Sequence, residues 1–104
     1  MENQYRVSAA SHTALVAGAI AKSFRDGNSV RLRAIGAGAV NQTVKAIIAA
    51  RWYLVADNID IVFVSLFEDL IIDGAEKTAI TFYVQRPGEP FPPSPVLSPV
   101  SHYQ

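Results

Sequence analysis

Val30 to Arg51, VRLRAIGAGAVNQTVKAIIAAR, contains in one run the pattern that decides the fold. Up to Ile35 apolar and charged residues alternate at period two, so Val30, Leu32 and Ala34 share one face while Arg31 and Arg33 share the other. That is a half-buried strand with a cationic outer face. Gly36 and Gly38 follow, and residues without a Cβ permit a tight turn and positive φ. From about Ala39 the period changes to 3.6, with Val40, Val44, Ile47 and Ile48 on one stripe of a helix running to about Tyr53. Strand, turn and helix start bring basic groups and unpaired backbone N–H groups together, which suits an anion such as phosphate. The same glycines would serve close packing alone, and the same arginines solubility alone, so the two readings stand even.

On the N-terminal side, Tyr5 to Ala9 reads as a short strand, Ser11 as an N-cap, and Thr13 to Arg25 as a helix stopped by Asp26-Gly27-Asn28. Ser29 to Ile35 is then the second strand. On the C-terminal side Asp57-Asn58 breaks the chain. Ile59 to Phe67 is a near-continuous apolar run, the pattern of a strand covered on both faces, either central in the sheet or buried in a subunit contact. A turn around Asp73-Gly74 leads into Ala79 to Gln85, with Ile80, Phe82 and Val84 inward and Thr81, Tyr83 and Gln85 outward. Small residues line both helices: Ala14, Ala17, Gly18 and Ala21 beside Val16, Ile20 and Phe24 in the first, and Ala46, Ala49 and Ala50 in the second. Such seams let helices approach closely, and packing of the two within one chain, on one face of the sheet, is favoured over a dimer interface.

With 104 residues, half of them apolar, the chain forms one compact domain. It has no cysteine, and its two histidines, His12 and His102, stand apart, so neither a disulfide frame nor a metal site is expected. Nor is an enzyme: no paired carboxylates or nucleophile–base spacing are present, and GAG lacks the spacing of a dinucleotide fingerprint or a P-loop, so no cofactor is expected. The start MENQYRVSAAS has no signal-peptide pattern and no apolar run approaches the ~20 residues of a membrane helix, which suggests a cytoplasmic protein without membrane contact.

The formal net charge of zero conceals a split. Met1 to Ala56 holds seven basic residues against two acidic, and Asp57 to Glu89 seven acidic against two basic. An anionic partner at one pole, or opposite surfaces meeting between copies, would each suit it. All six prolines fall in residues 87–104, PGEPFPPSPVLSPVSHYQ, so the domain is taken as residues 1–86 and the rest as a flexible proline-rich tail. FPPSP fits a proline-reading protein partner, although an inert tail has the same composition.

YRVSAAS, VAGAIA, RLRAIGAGAVNQTVKAIIAAR and FEDLIIDGAEKTAITFYV, in that order, resemble the stage V sporulation protein S family of bacteria, part of the Alba-like group of small nucleic-acid-associated folds. The resemblance covers about Tyr5 to Gln85, and the AIGAGAVNQTVKA block is its most specific part. It implies an α+β fold, βαβαββ, a single Alba-like two-layer domain with two helices on one face of a four-stranded mixed sheet. It also implies a homodimer with a role in developmental regulation and binding to DNA or RNA. By matching position the nucleic-acid surface would include Ser11 and His12 in the first loop, and Arg33, Gly36, Gly38, Asn41, Gln42 and Lys45 at the turn and helix start, with Arg31 beside them on the strand. The first loop lacks the lysines usual in Alba-type binders. The last hairpin, EDLIIDGAEK, carries one lysine among four acids, which phosphates would repel. Two functions therefore compete: a dimeric nucleic-acid-binding regulator, and a self-assembling structural or adaptor protein acting through complementary basic and acidic surfaces.

Overall fold

The computed structural model describes residues 1–91. Strand β1 (Glu2–Val7) leads into helix α1 (Thr13–Arg25), β2 (Ser29–Ala34), α2 (Ala37–Tyr53), a 3-10 turn (Val55–Asp57), β3 (Val62–Ile72) and β4 (Ala75–Gln85). The four strands lie in the order β1-β2-β4-β3. β1 and β2 are parallel, which demands a crossover, and α1 supplies it; β2–β4 and β3–β4 are antiparallel. The result is the expected α+β two-layer fold, two helices over a mixed four-stranded sheet.

The register explains which face the helices cover. Val30, Leu32 and Ala34 stand opposite Val84, Phe82 and Ile80, and Asn3, Tyr5 and Val7 continue the same face onto β1. Ile20, Phe24, Leu54, Val30, Leu32 and Val84 are fully buried there. So are Ala17 and Ala21 of α1 and Ala46 and Ala50 of α2. Their short side chains let the helix axes come close, and the small seams serve packing within the chain.

That close approach modifies the expected stripe on α2: Ile47 is in the core and Val40 and Val44 pack against it, but Ile48 does not. The inward residues are Ala39, Thr43, Ala46, Ile47 and Ala50, whereas Val40 and Val44 are half-buried and Ile48 is 58% exposed. The helix turns its small side toward α1, and the bulkier residues flank the contact. On α1, Ala14 and Gly18 likewise face solvent. α2 also starts two residues before the expected Ala39, because Gly36 takes φ +91 as its N-cap and releases Ala37 into the helix. Ser11 is not the N-cap of α1: His12 holds that place without a side-chain cap, and Ser11 Oγ instead accepts a hydrogen bond from the Ser8 amide at 2.9 Å.

β1 begins at Glu2, before the expected Tyr5, because parallel pairing with β2 runs from Glu2 opposite Ser29 to Val7 opposite Ala34, overriding the polar composition of its first residues. The apolar run after Asn58 is not a central strand. β4 inserts between β2 and β3, leaving β3 at the edge with Val62 and Phe63 about two-fifths exposed. Asp73 and Gly74 both have positive φ, 51° and 78°, as a two-residue hairpin turn with the twist of its strands requires. Beyond them β3 and β4 pair without interruption from Ile72–Ala75 to Val62–Gln85. The flexible-tail reading falls mostly on residues 92–104, which lie outside the described residues.

Candidate nucleic-acid interface

Because β1 and β2 are parallel and each runs directly into a helix, the N-termini of α1 and α2 emerge at the same end of the sheet. The carboxyl ends of parallel strands are where open sheets commonly hold ligands. Two contacts lock the helix starts together. Gly38, in the first turn of α2, faces the first loop so closely that a Cβ would stand 2.8 Å from the Ala9 Cβ. Gln42 Nε2 donates to the Ser11 carbonyl at 2.8 Å and to Thr13 Oγ1 at 3.3 Å. Gly36 is required for a different reason, its φ of +91°.

Neither helix has an acidic residue in its first turn, and neither N-cap side chain bonds to the helix. The first-turn N–H groups of both helices therefore lack the usual side-chain oxygen partner, and the positive ends of two helix dipoles lie side by side. His12, Asn41 and Lys45 are exposed around them. Asn41 and Lys45 share one face of α2, one and two turns beyond its first residue, and helical side chains lean toward the N-terminus. Ser11 and Gln42 are engaged within the protein: the Ser11 hydroxyl lies 3.2 Å from that of Ser8, and Gln42 braces the loop. Thr43 donates to the Ala39 carbonyl at 2.8 Å and is buried.

Arg31 and Arg33 are elsewhere, on the sheet face without helices. Arg31 Nη2 lies 2.8 Å from Glu2 Oε1, with its guanidinium 5.1 Å above the Tyr83 ring. Arg33 bonds to Glu68 Oε1 through Nη2 at 3.0 Å and Nε at 3.1 Å, and Thr81 Oγ1 donates to the same oxygen at 2.8 Å. Burial pushes the Glu68 carboxyl up, but the Thr81 and Arg33 hydrogen bonds, with the charges of Arg33 and Arg31, outweigh it and hold the group below its ordinary 4.5. The structure thus gathers Ser11, His12, Gly36, Gly38, Asn41 and Gln42 at one end of the sheet, sets Lys45 a turn further along α2, and leaves the two arginines out.

The charge split is largely cancelled inside the chain. Arg25 pairs with Asp57 at 2.9 Å, Arg51 with Asp60 at 2.7 Å, and Arg33 with Glu68, each joining the basic first half to the acidic second. Lys22 pairs with Asp26 at 2.8 Å, an i,i+4 contact visible in the sequence. Of the basic residues in the first half, Arg6 and Lys45 form no ion pair among the described residues. Lys45, two turns into α2, and Arg6, next to the end of β1, are therefore the free cations of this half. Among the described residues no group of three His, Asp or Glu side chains could hold a metal ion, and no helix is long and apolar enough to cross a membrane. Residues 3–87, β1 through the end of β4, match the family model of stage V sporulation protein S (SpoVS), and the chain belongs to that family of small sporulation-related proteins.

Proposed function

We propose that this chain is a small nucleic-acid-binding regulatory protein, without enzymatic activity, that receives phosphates of DNA or RNA between the starts of α1 and α2. The observation that carries this reading is the juxtaposition of two uncapped, acid-free helix N-termini, with an unpaired lysine two turns along α2. In this arrangement the amides after Gly36 and His12 donate to phosphate oxygens, Lys45 supplies the charge, and Asn41 supplies a polar contact. Gly38 and Gln42 position the two loops. Arg31 and Arg33 act indirectly, tying β1 and β3 to β2 through Glu2 and Glu68.

The working unit in this proposal is a homodimer. β3 is an eleven-residue edge strand without proline, lysine or bulge, and such an edge is rarely left open. Assembly through opposite basic and acidic surfaces is less favoured, since Arg25, Arg33 and Arg51 already meet their acids within the chain. A titration of labelled DNA and RNA at two salt concentrations tests the main reading. Affinity should fall linearly on a log–log scale with salt, with a slope set by the number of phosphates neutralised. Absence of salt-sensitive binding to either polymer at micromolar protein would refute it.

A further inference from the structure

We propose that a groove at the C-terminal end of α2 is the docking site of the chain's own proline-rich segment, residues 92–104. Ile48, Trp52 and Val55 form one wall and Ile59 another, with the Arg51–Asp60 pair at the rim. Trp52 is 74% exposed, Val55 63% and Ile48 58%, so an indole and two aliphatic side chains lie open together on the surface. No packing inside the domain accounts for them: the inward face of α2 is its alanine side.

An exposed indole flanked by aliphatic side chains is the kind of surface that polyproline segments dock on. Their rings pack on aromatic faces, and a proline-rich chain is already extended, so little conformational freedom is lost on binding. The sequence PPSPVLSPVSHYQ offers Pro92, Pro93, Pro95 and Pro99 for the indole and Val96 and Leu97 for the aliphatic wall.

The point where the chain leaves the sheet favours this occupant. Gln85, the last residue of β4, pairs with Val62, and the groove residues Ile59 and Asp60 lie three and two positions before Val62. With strands ~5 Å apart and ~3.3 Å per residue, the end of β4 is about 10–15 Å from the groove. Two side chains fix that geometry. Arg86 Nη2 donates to the Phe24 carbonyl at 2.8 Å, while the neighbouring Arg25 reaches the Tyr53 carbonyl at 3.0 Å and Asp57 at 2.9 Å, joining the exit of the chain to the end of α2. The chain turns just past the sheet, where the Glu89 amide donates to the Arg86 carbonyl at 3.3 Å and Gly88 takes φ +88°, so Phe91 stays close to the end of β4 and the thirteen residues after it supply the reach to the groove. So short a tether gives an effective concentration in the millimolar range, which fills even a weak site.

The chain has a single tryptophan, and it stands in the groove, so the wild-type protein carries its own reporter. The test compares acrylamide quenching and emission of Trp52 in the full chain with those of a full-length variant carrying Pro93→Ala, Pro95→Ala and Leu97→Asp. Circular dichroism verifies that the fold is retained. Quenching should rise about twofold in the variant and emission should shift to the red, as an aromatic face returns to water. Ile48→Glu, at an exposed position, should raise quenching to the same degree, and combining it with the tail changes should add nothing. Equal quenching in wild type and tail variant would overturn the proposal. Protection that grows with protein concentration alongside a doubling of mass would overturn it too, since the groove would then hold the segment of another copy.

Discussion

Gly38→Ala is the sharpest test of how the two helix starts are held together. The new methyl group would stand 2.8 Å from the Ala9 Cβ, whereas carbon atoms in contact rest at about 3.5–4.0 Å. Neither partner has a rotatable side chain, so the first loop or the start of α2 must move by close to 1 Å. Overpacking of this kind costs about 1–3 kcal/mol. Against it stands the helix preference of alanine over glycine, at most about 1 kcal/mol and smaller in a first turn. The balance is a net loss of about 1 kcal/mol, or a melting temperature lower by roughly 4–8 °C in a domain of this size. Ala9→Gly removes the opposing methyl and alone costs about 0.4–1 kcal/mol through chain entropy. In the double variant the clash is gone, so thermal unfolding of all four proteins should give a coupling energy of about 1–3 kcal/mol. Gly38→Ala should also weaken nucleic-acid binding by separating the loops, with recovery in the double variant. A Gly38→Ala protein as stable as wild type, or a double variant with purely additive losses, would refute the claim that glycine at position 38 is demanded by the approach of Ala9.

Lys45→Ala should lower the salt slope of nucleic-acid binding by about one unit, measured by anisotropy titration, whereas Arg33→Ala should leave the slope unchanged because that charge is spent on Glu68. Glu68 is held below its ordinary 4.5, so its contribution to stability is complete above that value and disappears as pH falls through the depressed one. Urea midpoints of wild type should therefore fall below pH 4.5 more than those of Glu68→Gln, by less than ~1 kcal/mol because the pair is about a third exposed and screened by water. Sedimentation at tens of micromolar should give twice the 11.3 kDa chain mass, and a Phe63→Lys substitution on β3 should return the monomer.

The bounds of α1, Thr13 and Arg25, were readable from periodicity and from Gly27, which takes φ +83° just past the helix end. The Asp73-Gly74 turn was readable for the same kind of reason, since few residues tolerate positive φ. The inward face of α2 was readable only in part: Ile47 is in the core with Val40 and Val44 against it, but Ile48, more hydrophobic than the buried alanines, is exposed. Closeness of packing, which hydropathy does not encode, chose between them. Strand order was hidden too: the composition of Val62 to Phe67 says that it is apolar, not that β4 will come between it and β2. At the candidate site Gly36, Gly38 and Lys45 were legible from residue type. The engagement of Arg31 with Glu2 and of Arg33 with Glu68 was not, since each partner comes from a distant strand.

The place of β4 bears on how the protein is made. β4, the last of the described strands to be synthesised, occupies the interior of the sheet, between β2 and β3, and no earlier strand can bridge that gap. A nascent chain can therefore form β1, α1 and β2 as a local unit, but the apolar start of β3, Val62 and Phe63, stays unpaired until Val84 and Gln85 have left the ribosome. At roughly 5–20 residues per second, the eleven residues of β4 take about a second to follow, and in that interval β3 is open to other chains. The two-residue turn at Asp73-Gly74 shortens the exposure, because each new residue of β4 can pair with β3 as it emerges, so that the hairpin zips and then docks on β2 in a single closing step.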